Sequence, residues 1–214
     1  MKARLLFILF SISIMTILSL ALSVVSNAQT GDALSFDGND RVIVPNSPSL
    51  NPTQITVEAW VKPNRQTDPS DWGTSQFLIT KGSDDTLCTY YLAQVYDRKF
   101  RFKIGPQWQN PATTSLSGPS TEIQLNRWYH VAGTYDGNIM RLYVDGVLED
   151  TKVVGPLQFG NSSPLFFSYN DYQGWNYFFN GQMRDVRIWN YARTENEILQ
   201  NMSGQLSGTE SGLA

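Results

Sequence analysis

The chain has 214 residues, with 16 Lys and Arg against 19 Asp and Glu and a formal net charge of −3. Charged residues make up only 16% and aromatics 13%, against about 25% charged in an average soluble domain. This excludes an intrinsically disordered chain, and the lack of clustered basic residues excludes a phosphate-driven nucleic-acid binder.

The chain begins with Lys2 and Arg4, then an almost unbroken apolar run from Leu5 to Val25, then the small residues of Ser26-Asn27-Ala28. This pattern predicts a secretory signal over 1–28, cleaved near Ala28. The apolar run is also long enough to span a bilayer, so an uncleaved anchor is the alternative. Either way the remainder is expected outside the cytoplasm, secreted or at the cell surface. No later stretch is long and apolar enough to cross a membrane. Cys88 is the only cysteine, so no internal disulfide can form and a hydrophobic core has to hold the exported part together.

Beyond the leader, short alternating runs are separated by turn residues. Leu34 to Phe36 and Arg41 to Val44 come first, followed by Ile55 to Lys62, whose apolar residues recur at every second position. That period of two is the signature of a strand. The pattern returns in Gln76 to Thr80, Thr89 to Tyr96, Lys99 to Ile104, Trp128 to Tyr135, Ile139 to Val144, Leu165 to Tyr169 and Met183 to Trp189. Asp136-Gly137-Asn138 and Asp145-Gly146 supply the positive-φ residues that tight hairpins need. One helix is predicted near the C-terminus: Thr194 caps it, Glu197 completes a capping box, and Ile198, Leu199 and Met202 form its apolar face. The pattern predicts an all-β fold, an antiparallel β-sandwich of the jelly-roll kind with one short C-terminal helix. The small polar residues of 204–214 read as a linker.

Six blocks, in order, resemble the laminin G-like domains of the concanavalin A-like lectin and glucanase superfamily. They are Leu34 to Asp40, Thr56 to Pro63, Ile79 to Gly82, Trp128 to Gly137, Arg141 to Gly146 and Asp185 to Asn190. The resemblance implies one sandwich domain over 29–203. It also implies that 204–214 leads toward a neighbouring domain of a larger surface protein. The fold alone does not define a function, because the same sandwich hosts lectins, adhesion modules and glycosidases.

The candidate chemistry falls into four groups. His130, the only histidine, lies within a strand and has no nucleophile beside it, so it is expected to be structural. A glycosidase needs two carboxylates about 5 to 9 Å apart on a cleft; Glu58 is alone in its strand, and the chain is expected not to be an enzyme. Calcium needs six to eight oxygens. Asp37, Asn39 and Asp40 in the first loop, together with Asp185 at the start of the last strand, are the candidate ligands, although Arg184 stands where the resemblance implies a further acid. Sugar binding needs flat aromatic faces beside amides or acids. Trp72, Trp108 and the segment Tyr169, Asn170, Asp171, Tyr172, Trp175 and Asn176 supply those types in predicted loops. Trp60, Trp128 and Trp189 lie in strands and are expected to be structural, and Arg184 is expected to pair with an acid. The expected function is a non-catalytic module that binds a glycan or glycoprotein. A protein–protein adhesion or spacer module is the alternative, and a glycoside hydrolase is third.

Overall fold

A computed structural model describes residues 32–82, 88–105, 115–157, 160–172 and 175–214. The predicted signal segment 1–28 and Trp108 lie outside the described residues. Among those residues no helix is long and apolar enough to cross a membrane.

The alternating runs form two six-stranded antiparallel sheets. The first has the order β1 (Leu34–Asp37), β14 (Asn180–Trp189), β3 (Ile55–Pro63), β8 (Tyr129–Tyr135), β9 (Ile139–Val144), β10 (Val147–Val153). The second has the order β2 (Val42–Val44), β11 (Leu165–Phe167), β4 (Gln76–Lys81), β5 (Tyr90–Gln94), β6 (Phe100–Ile104), β7 (Ser115–Ser117). The main core lies between them, built from Val57, Val61, Val131 and Leu142 of the first sheet and Leu78, Leu92 and Phe102 of the second. Gly133 belongs in this packing because a Cβ there would come within 2.3 Å of the Phe102 ring.

Strand β3 departs from the expected one-sided burial. Its inward Ile55, Val57, Ala59 and Val61 are buried, and so are Thr56 and Glu58 on the opposite face. That outer face is covered by α1 (Glu195–Asn201) and the segment after it. Thr194 and Glu197 form the expected capping box, each bonding the other's backbone N–H. The helix face differs from the prediction: Ile198 is buried against Ala132 and Tyr143, whereas Leu199 is 42% exposed. Leu199 lies over Gly146, where φ is +79° and a Cβ would come within 2.3 Å of it.

The segment 204–214 is expected to be a linker, yet its last residues lie along β14. The Asn190 N–H donates to Gly212 O at 2.8 Å, the Ala214 N–H donates to Ile188 O at 2.9 Å, and Leu213 bridges to Trp189. Two further strands form where the sequence predicts a loop. Asn170–Tyr172 (β12) and Trp175–Tyr177 (β13) pair as a separate two-stranded hairpin.

Candidate functional site: an aromatic rim beside the second sheet

The hairpin lies against the outer face of the second sheet. Tyr177 is buried there, its ring 5.7 Å from that of Phe77, which in turn meets Tyr91 at 4.8 Å. Together with Cys88, Ala93 and Val95 these rings form a second apolar cluster outside the main core. Buried Gln76 ties the region together: its amide donates to Arg65 O and Gln94 Oε1, and its Oε1 accepts from the Asn180 N–H. Arg65 in turn donates to Phe178 O at 3.0 Å. Burial pulls the Arg65 guanidinium below its ordinary value.

On this base stands the 3-10 turn Trp72–Thr74, capped by Asp71, whose carboxylate accepts from the Gly73 N–H at 2.8 Å. Cα atoms of this turn and of β13 come within 8 Å of each other, which places the Trp72 and Trp175 segments side by side. Trp175 is 67% exposed and Trp72 50%. Trp72 is backed by Tyr96, ring to ring at 4.5 Å and 34°. The Arg101 guanidinium lies 5.8 Å from the Trp72 ring and is paired with Asp97. Tyr96 and Arg101 were missed in the sequence, where both read as ordinary strand residues.

The other predicted sugar contacts divide. In a strand pair, directly opposed residues share a face and successive residues alternate. Asp171 opposes Asn176, and Tyr172 opposes Trp175. Asp171 and Asn176 therefore share one face of the hairpin, and Asn170, Tyr177 and Trp175 the other. Tyr169 is a plug: it is 8% exposed and packs on Phe166 and Phe178, with Arg41 over its ring and its hydroxyl donating to Asn176 Oδ1. Asn170 is buried at 4%. Asp171 keeps a buried Oδ1 without a hydrogen-bond partner.

The four residues expected to ligate calcium are not brought together. β1 and β14 are neighbours, as that expectation required, but their register sets Asp37 opposite Asn180. Asp185 lies five residues further along β14, about 16 Å at strand rise. Within the first loop, Asp37 accepts from the Asn39 N–H and Asp40 from the Asp37 N–H, so these carboxylates serve the turn. Among the described residues no group of three or more His, Cys, Asp or Glu is placed to hold a metal. The set does not fit one ion.

The outer face of the first sheet holds the densest charge cluster, and it is sealed. Glu58, fully buried, accepts from Trp189 Nε1 at 2.9 Å and Arg193 Nη1 at 3.0 Å, with Arg187 at 3.7 Å. His130 lies 3.7 Å away, beyond hydrogen-bond reach. Burial and the Arg187 and Arg193 guanidiniums push His130 down to about 3, so it is a neutral strand residue. Arg187 also donates to Asn201 O and Gly204 O, and Arg193 to Glu197 O. The cluster thus fastens α1 to the sheet. Trp60 and Trp128 flank Arg184 at 5.4 and 5.0 Å, and Arg184 contacts Asp185 at 3.5 Å. The Glu58 carboxylate is thus walled in by cations and by Trp189.

Two antiparallel sheets with a sealed charge cluster on one outer face and an exposed aromatic rim at the other define a lectin-like β-sandwich. The laminin G profile matches residues 36–199, and the chain belongs to the concanavalin A-like lectin/glucanases superfamily. Mouse pappalysin-1 is 34% identical over 82 residues, which is 36% of this chain; the chain spans only 5% of that protein's length. Solved structures share the fold, two of them with a bound saccharide. Domain 4 of AbnA, an extracellular arabinanase of Geobacillus stearothermophilus in complex with arabinotriose, has a TM-score of 0.62 and 20% identity, covering 83% of this chain and 78% of that one. The CBM40 of the Ruminococcus gnavus IT-sialidase, bound to α2,3-sialyllactose, has a TM-score of 0.64 and 12% identity, covering 81% and 97%.

Proposed function

We propose that the chain is a non-catalytic, extracytoplasmic glycan-binding module whose sugar platform is formed by Trp72 and Trp175. The observation that carries this reading is the pair of exposed indoles on adjoining elements. Facing water costs each large ring roughly 25 cal/mol per Å² of apolar surface, and adjoining exposed apolar groups mark interaction sites. A pyranose or furanose ring presents a C–H face to such a ring and hydroxyls at its rim. Arg101 and Asp97, beside Trp72, supply a donor and an acceptor for those hydroxyls. The leader supports export, and the solved relatives with bound saccharides support the ligand class. The sealed setting of Glu58 supports a binding role over hydrolysis.

Affinity electrophoresis against a polysaccharide panel, followed by calorimetric titration with oligosaccharides, tests the reading. Trp175→Ala and Trp72→Ala should each weaken binding at least tenfold. Both side chains are exposed, so melting temperature should move little. If no polysaccharide retards the native chain, or if the double variant binds as before, the glycan reading fails and a protein–protein adhesion module takes its place.

A further inference from the structure

One opening in the molecule lies where β14 faces β2 and β11. β1 pairs with β14 only from Asn180 to Met183, and the C-terminal segment takes up the same edge from Ile188. Between them, Arg184 to Arg187 have no strand partner on that side among the described residues. The pairing of β14 with β3 is also irregular here: two steps on β3, Trp60 to Glu58, match three on β14, Arg184 to Arg187. That is a β-bulge, and Asp185 occupies it at φ +51°.

Behind this break the sheets leave a cavity of about 430 Å³, within the range of small-molecule pockets, about 300–1,000 Å³. Its walls are apolar side chains from both sheets, among them Val44, Leu165, Phe167 and Val186, and the C-terminal segment closes it with Leu206 and Leu213. Val44, Phe167 and Val186 are only half-buried margins of the main core, so the cavity is an unfilled continuation of it. The polar groups are unequal. Arg187 lines the wall, but its two Nη atoms already donate to Asn201 O and Gly204 O at 2.7 and 2.6 Å. The Asp185 carboxylate, by contrast, accepts no hydrogen bond among the described residues. Its nearest cations, Arg184 and Arg187, stand at 3.5 and 3.9 Å. The cavity therefore offers an apolar body site with one ion-paired carboxylate at its rim that can still accept a hydrogen bond.

We propose that this cavity is a second ligand site, for a small apolar molecule bearing a hydroxyl group, with the hydroxyl donating to Asp185 and the hydrocarbon against Leu165, Val186 and Leu206. The two Arg side chains offset the Asp185 charge, so a neutral head fits better than an ammonium. A carboxylate head is opposed by Asp185 and finds the Arg187 donors already engaged.

The test is titration of the full chain with octan-1-ol and, separately, octanoate, read by methyl NMR and melting temperature. Octan-1-ol should bind saturably, shift the methyls of Val44, Leu165, Val186 and Leu206, and raise the melting temperature, since a ligand bound only to the native state stabilises it. Octanoate should bind at least tenfold more weakly, and Asp185→Asn should bring the two within about threefold. Leu206→Trp fills the cavity from the surface segment, so it should fold with an unchanged melting temperature and bind neither probe. A wild-type chain with no saturable response at these methyls overturns the site. Binding that persists in Leu206→Trp does the same, and octanoate binding as tightly as the alcohol overturns the role of Asp185. None of these outcomes touches the Trp72–Trp175 rim.

Discussion

Glu58 shows how much a single residue can carry without taking part in chemistry. Its carboxylate is fully buried and balances Arg187 and Arg193. Removing one partner of a buried ion cluster leaves uncompensated charge and typically costs about 3–5 kcal/mol. Glu58→Ala should therefore lower the urea midpoint by a corresponding amount, and rim binding measured on the folded fraction should be unchanged. His130 beside it gives a pH signature. Its ordinary value is about 6.5, and in the fold it is about 3. Between those values the unfolded chain takes up a proton that the native state excludes. Stability should be fully present above about pH 6.5 and fall as the pH drops, by about 1.4 kcal/mol per unit from this group. Since His130 is the only histidine, denaturation between pH 5 and 7 isolates it, and His130→Gln should flatten the slope. The histidine's structural role was legible from its place inside a strand. The engagement of Glu58 was not, because Arg187 and Arg193 come from more than 125 positions away and only the β3–β14 register brings them across.

At the scale of elements, legibility followed periodicity and local chemistry. Long alternating runs such as β3 and β8 are visible because each buries one whole face in the main core. The capping box of α1 is visible because Thr194 and Glu197 lie within one turn. The 170–177 hairpin was hidden because its strands are three residues each, too short for a period of two to show, and its aromatic content resembles a binding loop. Pairing then did what composition could not foretell, sorting Asp171 and Asn176 onto one face and Trp175 onto the other. Register also separates the candidate calcium ligands: the first and last strands are adjacent as expected, but antiparallel pairing sets Asp37 opposite Asn180, five residues from Asp185. The cap allows a direct check. Loss of an N-cap side chain costs about 0.5–2 kcal/mol, so Thr194→Ala should destabilise by about 1 kcal/mol. Because α1 covers Glu58, hydrogen exchange at Trp189 Nε1 should quicken as well. Unaltered exchange there would show that the helix does not seal the cluster.

For the whole molecule, the two outer faces of the sandwich have opposite uses. One is closed by a helix and a C-terminal segment held through buried arginines; the other carries a hairpin and a 3-10 turn that leave tryptophans in water. The helix and the C-terminal segment cover the first sheet, whereas on the second the hairpin and the turn leave Trp175 and Trp72 exposed. The C-terminal segment is the critical piece of this division. Its turn is set by Glu210, whose carboxylate accepts from the Ser207 and Gly208 N–H groups and is held down to about 2 mainly by the Ser207 bond. From there Gly212 and Ala214 exchange backbone hydrogen bonds with Asn190 and Ile188. At about 0.5–1.5 kcal/mol for each bond, the two contribute about 1–3 kcal/mol. A domain of this size shifts by about 2–4 °C per kcal/mol. A chain ending at Thr209 should thus melt about 2–12 °C lower by calorimetry, lose the response to octan-1-ol because the Leu213 wall is gone, and retain glycan binding at the Trp72–Trp175 rim. A truncated chain with an unchanged melting temperature would mean that the segment does not pair with β14 in solution, and loss of rim binding would mean that the two faces are coupled through the core.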